Sequence, residues 1–88
     1  MSKVMVWRTS HVVDLMNLSA VHILAGDHTL ALAMAEDGLR EAATMSNSYA
    51  TAGLASNAGE ACYYLGRHED AIRYAEQCIG CEEAAHLP

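Results

Sequence analysis

The sequence contains no Phe, a single Trp (Trp7), a single Pro (Pro88) and only five basic residues in 88. Each scarcity excludes something. With so little aromatic bulk, a core cannot be filled by a few large side chains and must come from close approach of backbones. With Pro confined to the last position, no element is broken from within by a missing N–H. Lys3, Arg8, Arg40, Arg67 and Arg73 are scattered along a chain of net charge -6. They form no basic patch of the kind a phosphate backbone requires, so direct nucleic-acid binding is not expected, and the same deficit argues against an anionic membrane surface. Asp14, Asn17 and His22 interrupt the best apolar run, which falls short of the roughly 18 residues that cross a bilayer. Cysteine is sparse and odd in number (Cys62, Cys78 and Cys81), and the N-terminus has no leader-like apolar segment. That pattern reads as free thiols in a reducing compartment and points to a cytoplasmic protein.

What is abundant is alanine, with 16 residues, and it accounts for much of the 52% hydrophobic content. Alanine is the best helix former, and the composition favours helices packed at short range in a single small domain. Residues 1–9 read as an N-terminal lead, either a short strand in which Val4, Val6 and Arg8 alternate with Met5 and Trp7 or a disordered segment. Ser10 suits the N-cap of a first helix running to Leu24 or Ala25, with Asp14 in its early turns. Apolar residues cover most of this helix's circumference, which predicts a covering on more than one side. Gly26-Asp27 reads as a turn, and a second helix runs from about His28 to about Thr44 with Ala31, Ala35, Leu39 and Ala42 on one face. Gly38 inside it predicts close approach of a neighbour. Ser46-Asn47-Ser48 is a linker rich in capping residues. A third helix spans about Tyr49 to Tyr64 or Leu65, Gly66-Arg67 is a second turn, and a fourth helix spans about His68 to Glu83, with fraying from Ala84 to Pro88. The expected fold is all-α, a four-helix array.

Shifted by forty residues, the chain aligns with itself. Asn17 meets Asn57, Gly26 meets Gly66, His28 meets His68, Ala31 meets Ala71, Ala35 meets Ala75 and Glu36 meets Glu76. The matched positions are turn, capping and close-packing residues, as expected if one helix pair is used twice, over about 10–45 and about 49–85. Here the chain resembles the tetratricopeptide repeat family in its longer, roughly forty-residue spacing. The resemblance rests on Ser19, Gly26, His28 and Ala31 in the first copy and on Gly59, Gly66, His68 and Ala71 in the second. Leu15 and Ala55 stand where that family has a large aromatic, and its helix-ending Pro is missing.

The resemblance implies a protein-interaction module, a scaffold or adaptor, whose first helix in each pair lines a concave surface. Asn17 and Asn57 match the amide with which long-spaced members hold a peptide backbone, and an amide both donates and accepts. With them, Ala20, Leu24, Glu60 and Tyr64 fall at helical spacing, giving six candidate partner-binding residues. The other role open to the two amides is packing between repeats. No Lys or Arg lies in this register, which disfavours an acidic C-terminal peptide as ligand. Two repeats leave apolar faces uncovered, so a homodimer is expected, formed through the outer side of the first helix or the open face of the fourth.

The alternative reading is a thiol or metal-binding helical protein using Cys78 and Cys81. One Cys pair falls short of the four ligands of a structural zinc site, and no metal or other cofactor is expected. Phosphate-loop, nucleophile-elbow and zinc-protease motifs are missing from the sequence, and no catalytic residues are expected.

Overall fold

The computed structural model describes residues 3–86, with side chains for residues 7–83. Four helices follow one another: α1 (Lys3–Leu24), α2 (His28–Met45), α3 (Ser48–Tyr64) and α4 (His68–His86). No strand occurs among the described residues. The first helix starts earlier than Ser10. Residues 3–9 belong to α1 and form neither a strand nor a separate lead; residues 1 and 2 lie outside the described residues. A short alternation of apolar residues does not separate strand from helix, and two contacts favour the helix here. Trp7 stacks on His11 one turn later, with ring centroids 5.8 Å apart. The Arg8 guanidinium reaches across to Glu41 at 3.4 Å and to the Thr44 hydroxyl, tying the start of α1 to the end of α2. At the other end, α4 continues through His86 rather than fraying at Ala84, and residues 87 and 88 lie outside the described residues.

The two helix–helix turns are copies of one another. Gly26 and Gly66 sit at φ +86° and +79°, in the left-handed region that glycine enters without a steric penalty. The hydrogen bond from Asp27 N–H to the His22 carbonyl (2.9 Å) repeats as Arg67 N–H to Cys62 (2.8 Å). The bond from Gly26 N–H to Ile23 (3.0 Å) repeats as Gly66 N–H to Tyr63 (3.1 Å). Each pair is a Schellman closure, which satisfies carbonyls left over at a helix end. Only the start of the following helix differs. Asp27 caps α2 by accepting from Leu30 N–H, whereas Arg67 stands at that position before α4 and pairs with Asp70 in the first turn. The α2–α3 linker uses other chemistry: Ser46 takes the left-handed conformation (φ +51°) and the Asn47 side chain accepts from Ala50 N–H at 3.0 Å.

α3 packs against each of the other three helices. Its docking face carries Ala50, Leu54, Ala58 and Ala61, all fully buried, and the α2 face opposite carries Ala31, Ala35 and Ala42, also fully buried. Leu54 is the largest side chain in this core and sits over Gly38: a β-carbon at Gly38 would lie 2.6 Å from Leu54 Cδ2. The glycine is therefore the floor on which α3 rests. The described chain measures 40 × 28 × 17 Å, so its thinnest dimension is less than two helix diameters of about 10 Å each. A core so thin buries few large side chains. Leu18, Val21, Leu24, Tyr63, Ile72 and Ile79 are among the large hydrophobics left exposed.

A second link joins the two helix pairs. Tyr74 Oη on α4 donates to Glu36 Oε2 on α2 at 2.8 Å. Burial, followed by the hydrogen bond to Glu36 and its negative charge, pushes the Tyr74 phenol up to about 12. Because the folded value lies above the ordinary 10, this contribution to stability is intact below pH 10 and is lost as pH rises through about 12. Alkaline titration followed by circular dichroism should show wild type losing stability across that window more steeply than Tyr74→Phe. The floor is tested by a pair of glycines. Gly38→Val should destabilise by at least about 2 kcal/mol through overpacking against Leu54. At Gly80, which has open space around its α-carbon, substitution by Ala should stabilise by roughly 1 kcal/mol. Urea midpoints at unchanged slope measure both.

Candidate functional site

The forty-residue equivalence extends from the turns to burial, and there the two helix pairs part company. The face of α1 and α2 that receives α3 is closed: Ser19, Ala31, Ala35 and Ala42 are fully buried and Gly38 is buried under Leu54. On the equivalent face of α3 and α4 no helix is docked among the described residues, and the Met16 side chain of α1 reaches only its edge. Gly59, Ala71 and Cys78 are half-buried there, and Ala75 and Glu82 are exposed. What remains is a groove with two open cavities that share Ser56 and Cys78. One, of about 430 Å³, runs between Tyr49, Ala52 and Gly53 on α3 and Cys81 on α4. The other, of about 310 Å³, lies over Gly59, Ala71 and Ala75. The groove exists because Gly59 lets α4 approach: a β-carbon at Gly59 would stand 3.4 Å from the Ala71 carbonyl oxygen and from Tyr74 Cβ. Its floor is small and largely apolar like the one α2 offers to α3, with Cys78 in place of Gly38 and Glu82 in place of Ala42.

The six residues singled out from the sequence occupy different places. Asn57 is half-buried in the joint between the helix pairs. Its side-chain NH2 donates to the Met16 carbonyl and to Ser19 Oγ, both at 2.9 Å, and so clamps α3 to α1. Ser19 is fully buried and its own hydroxyl donates to the same Met16 carbonyl at 2.8 Å, so the amide completes a closed polar triangle. Of the two roles the sequence left open for Asn57, this geometry is the packing one. Asn17 has the same register on α1 and is exposed. Ala20 is half-buried, and Leu24, at 88% exposure, stands free at the end of α1. Glu60 lies on the rim of the α3–α4 groove. Tyr64 stacks on His28 at the start of α2, with centroids 4.5 Å apart. The equivalent His68 is exposed and meets Tyr63 edge-on, with centroids 5.8 Å apart.

The groove itself was not singled out from the sequence. Ala75 is identical in type to Ala35, and residue type alone does not say that one is covered and the other bare. The legible signal was the shift of forty applied to the whole inward face of α2, which maps onto the outward face of α4.

Cys78 and Cys81 both line the groove. Burial, with the neighbouring Glu82 carboxylate, pushes the Cys78 thiol up, which keeps it protonated at neutral pH and makes it a poor nucleophile. Among the described residues, no three His, Cys, Asp or Glu side chains come together as a metal would require, and no helix is long and apolar enough to cross a membrane. Cys62 is fully buried in the core, and desolvation raises its thiol as well.

In comparisons with known proteins, the chain matches no family model, no curated protein and no solved structure. The geometry therefore carries the functional argument.

Asn57 and Asn17 are identical residues in one register with different surroundings, and their substitutions should separate. Asn57→Ala should cost about 1–3 kcal/mol, because it strips two hydrogen bonds from a buried joint. Asn17→Ala should stay within about 0.5 kcal/mol. Urea unfolding of both variants provides the comparison.

Proposed function

We propose that the chain is a protein-interaction module, built from two tetratricopeptide-like helix pairs, that receives a helical segment of a protein partner in the groove between α3 and α4. One observation carries this reading: the equivalent groove between α1 and α2 is filled by a helix of this same chain, and the α3–α4 groove keeps the two alanines of that floor, Ala71 and Ala75, with no helix docked on them among the described residues. A repeat array stacks each unit on the next, and a terminal unit without a polar cap leaves its stacking face free. Exposed apolar area of this kind marks an interaction surface more often than a solvated one.

A helix is the occupant that the geometry favours over an extended peptide. An extended backbone held by both amides would need the Asn57 NH2, and that group is already bonded to Met16 and Ser19. Docking of a helix needs small residues on the floor and apolar side chains at i, i+3 and i+4 on the ligand. Ala71 and Ala75 supply the first requirement, with Cys78 and Ile79 at the far side. Catalysis has no comparable support: Cys78 is held protonated, and Asp70 is tied up in ion pairs with Arg67 and Arg73.

Partner capture from extracts of the source cells tests the reading. Ala75→Glu places a charge on the exposed groove floor and should abolish capture while leaving helicity and the unfolding midpoint unchanged. Tyr64→Ala, away from the groove, should retain it. A partner set equally well captured by Ala75→Glu would show that the groove is not the interaction surface.

A further inference from the structure

We infer that the chain stacks head to tail on a second copy of itself, with α1 of one copy entering the α3–α4 groove of the next. The inference rests on the reading of that groove as a helix-binding surface and names its occupant. The argument comes from α1. Shifted by forty residues, the docking face of α3 falls on Ser10, Asp14, Asn17, Leu18 and Val21, and all five are exposed. Their counterparts on α3 are Ala50, Leu54, Asn57, Ala58 and Ala61; Asn57 is half-buried and the rest are fully buried. The described residues thus carry an open socket on α3 and α4 and an exposed plug on α1, and the two are related by the register that joins the chain's own helix pairs. Leu18 is 44% and Val21 56% exposed, a branched apolar pair left open to solvent.

In this register the Asn17 amide of the incoming copy reaches the Ser56 carbonyl, as Asn57 reaches Met16. Leu18 and Val21 lie over Ala71 and Ala75, as Ala58 and Ala61 lie against α2. Several exchanges distinguish the contact from the internal one, among them Gly59 in place of Ser19, which leaves Asn17 without the hydroxyl that Asn57 finds. Asp14 takes the place of Leu54 and Cys78 that of Gly38, so a shorter side chain meets a raised floor. Glu82 takes the place of Ala42, which leaves two carboxylates near one rim. The contact between copies is consequently weaker than the internal joint and reversible. Because plug and socket are different surfaces, the contact is heterologous and propagates beyond a pair.

Sedimentation velocity from about 1 to about 500 micromolar tests it over the affinity range of a single-helix contact. Wild type should show species heavier than its 9.5 kDa that grow with concentration. Leu18→Glu, with a spoiled plug, and Ala75→Glu, with a spoiled socket, should each sediment as monomers. Their equimolar mixture should recover a dimer, since one intact plug then meets one intact socket. Val21→Glu and Ile79→Glu form a second pair with the same expectation, and circular dichroism confirms that each variant folds. A wild-type chain that stays monomeric, a single variant that assembles like wild type, or a mixture that stays monomeric overturns the proposal. If wild type is monomeric and Ala75→Glu still loses a captured partner, self-stacking fails and the groove reading stands. If neither assembly nor a groove-dependent partner is found, both fail.

Discussion

Leu54 resting on Gly38 sets the distance between α2 and α3, and most of the architecture depends on that distance. The two helices can come this close because the α2 face is Gly38 with Ala31, Ala35 and Ala42, and the α3 face returns Ala50, Ala58 and Ala61 around the one leucine. Each alanine buries little area, so the stabilisation comes from many short contacts rather than a few large side chains. Close approach then brings Asn57 within reach of Met16 and Ser19 and Tyr74 within reach of Glu36. These polar links fix the second helix pair on the first in one register.

The same economy leaves a thin body with bare ends. Among the described residues, the faces on which α3 meets α1 and α2 are closed, and the outer faces of α1 and α4 are open. The α3–α4 groove repeats the α1–α2 groove without its occupant, and the outer stripe of α1 repeats the α3 docking face without its socket.

Much of the fold was legible in the sequence, where the deciding physics is local. Gly26 and Gly66 announce left-handed helix ends, Asp27 and Asn47 announce caps, and the alanine spacing in α2 announces its inward face. The beginning of α1 was not legible, because Arg8 bonding to Glu41 and Thr44 from 33 and 36 residues away stabilises it. The candidate site was legible only in part. Asn17 and Asn57 share type and register, yet one is exposed and the other is clamped, because α3 packs on α1 where Met16 and Ser19 accept from Asn57. Cys78 and Cys81 both line the α3–α4 groove, a placement that their spacing alone does not give. Residue identity fixed the shape of each unit; position in the stack decided which faces remained open.

The central claim is that the open face of α4 and the bare stripe of α1 are two halves of one contact. Hydrogen exchange read by mass spectrometry at rising protein concentration tests it most directly. The account predicts that protection rises together, with one concentration midpoint, in residues 10–21 of α1 and 71–82 of α4, while α2 is unchanged. Protection that does not depend on concentration, or that rises in one of these segments without the other, would contradict it.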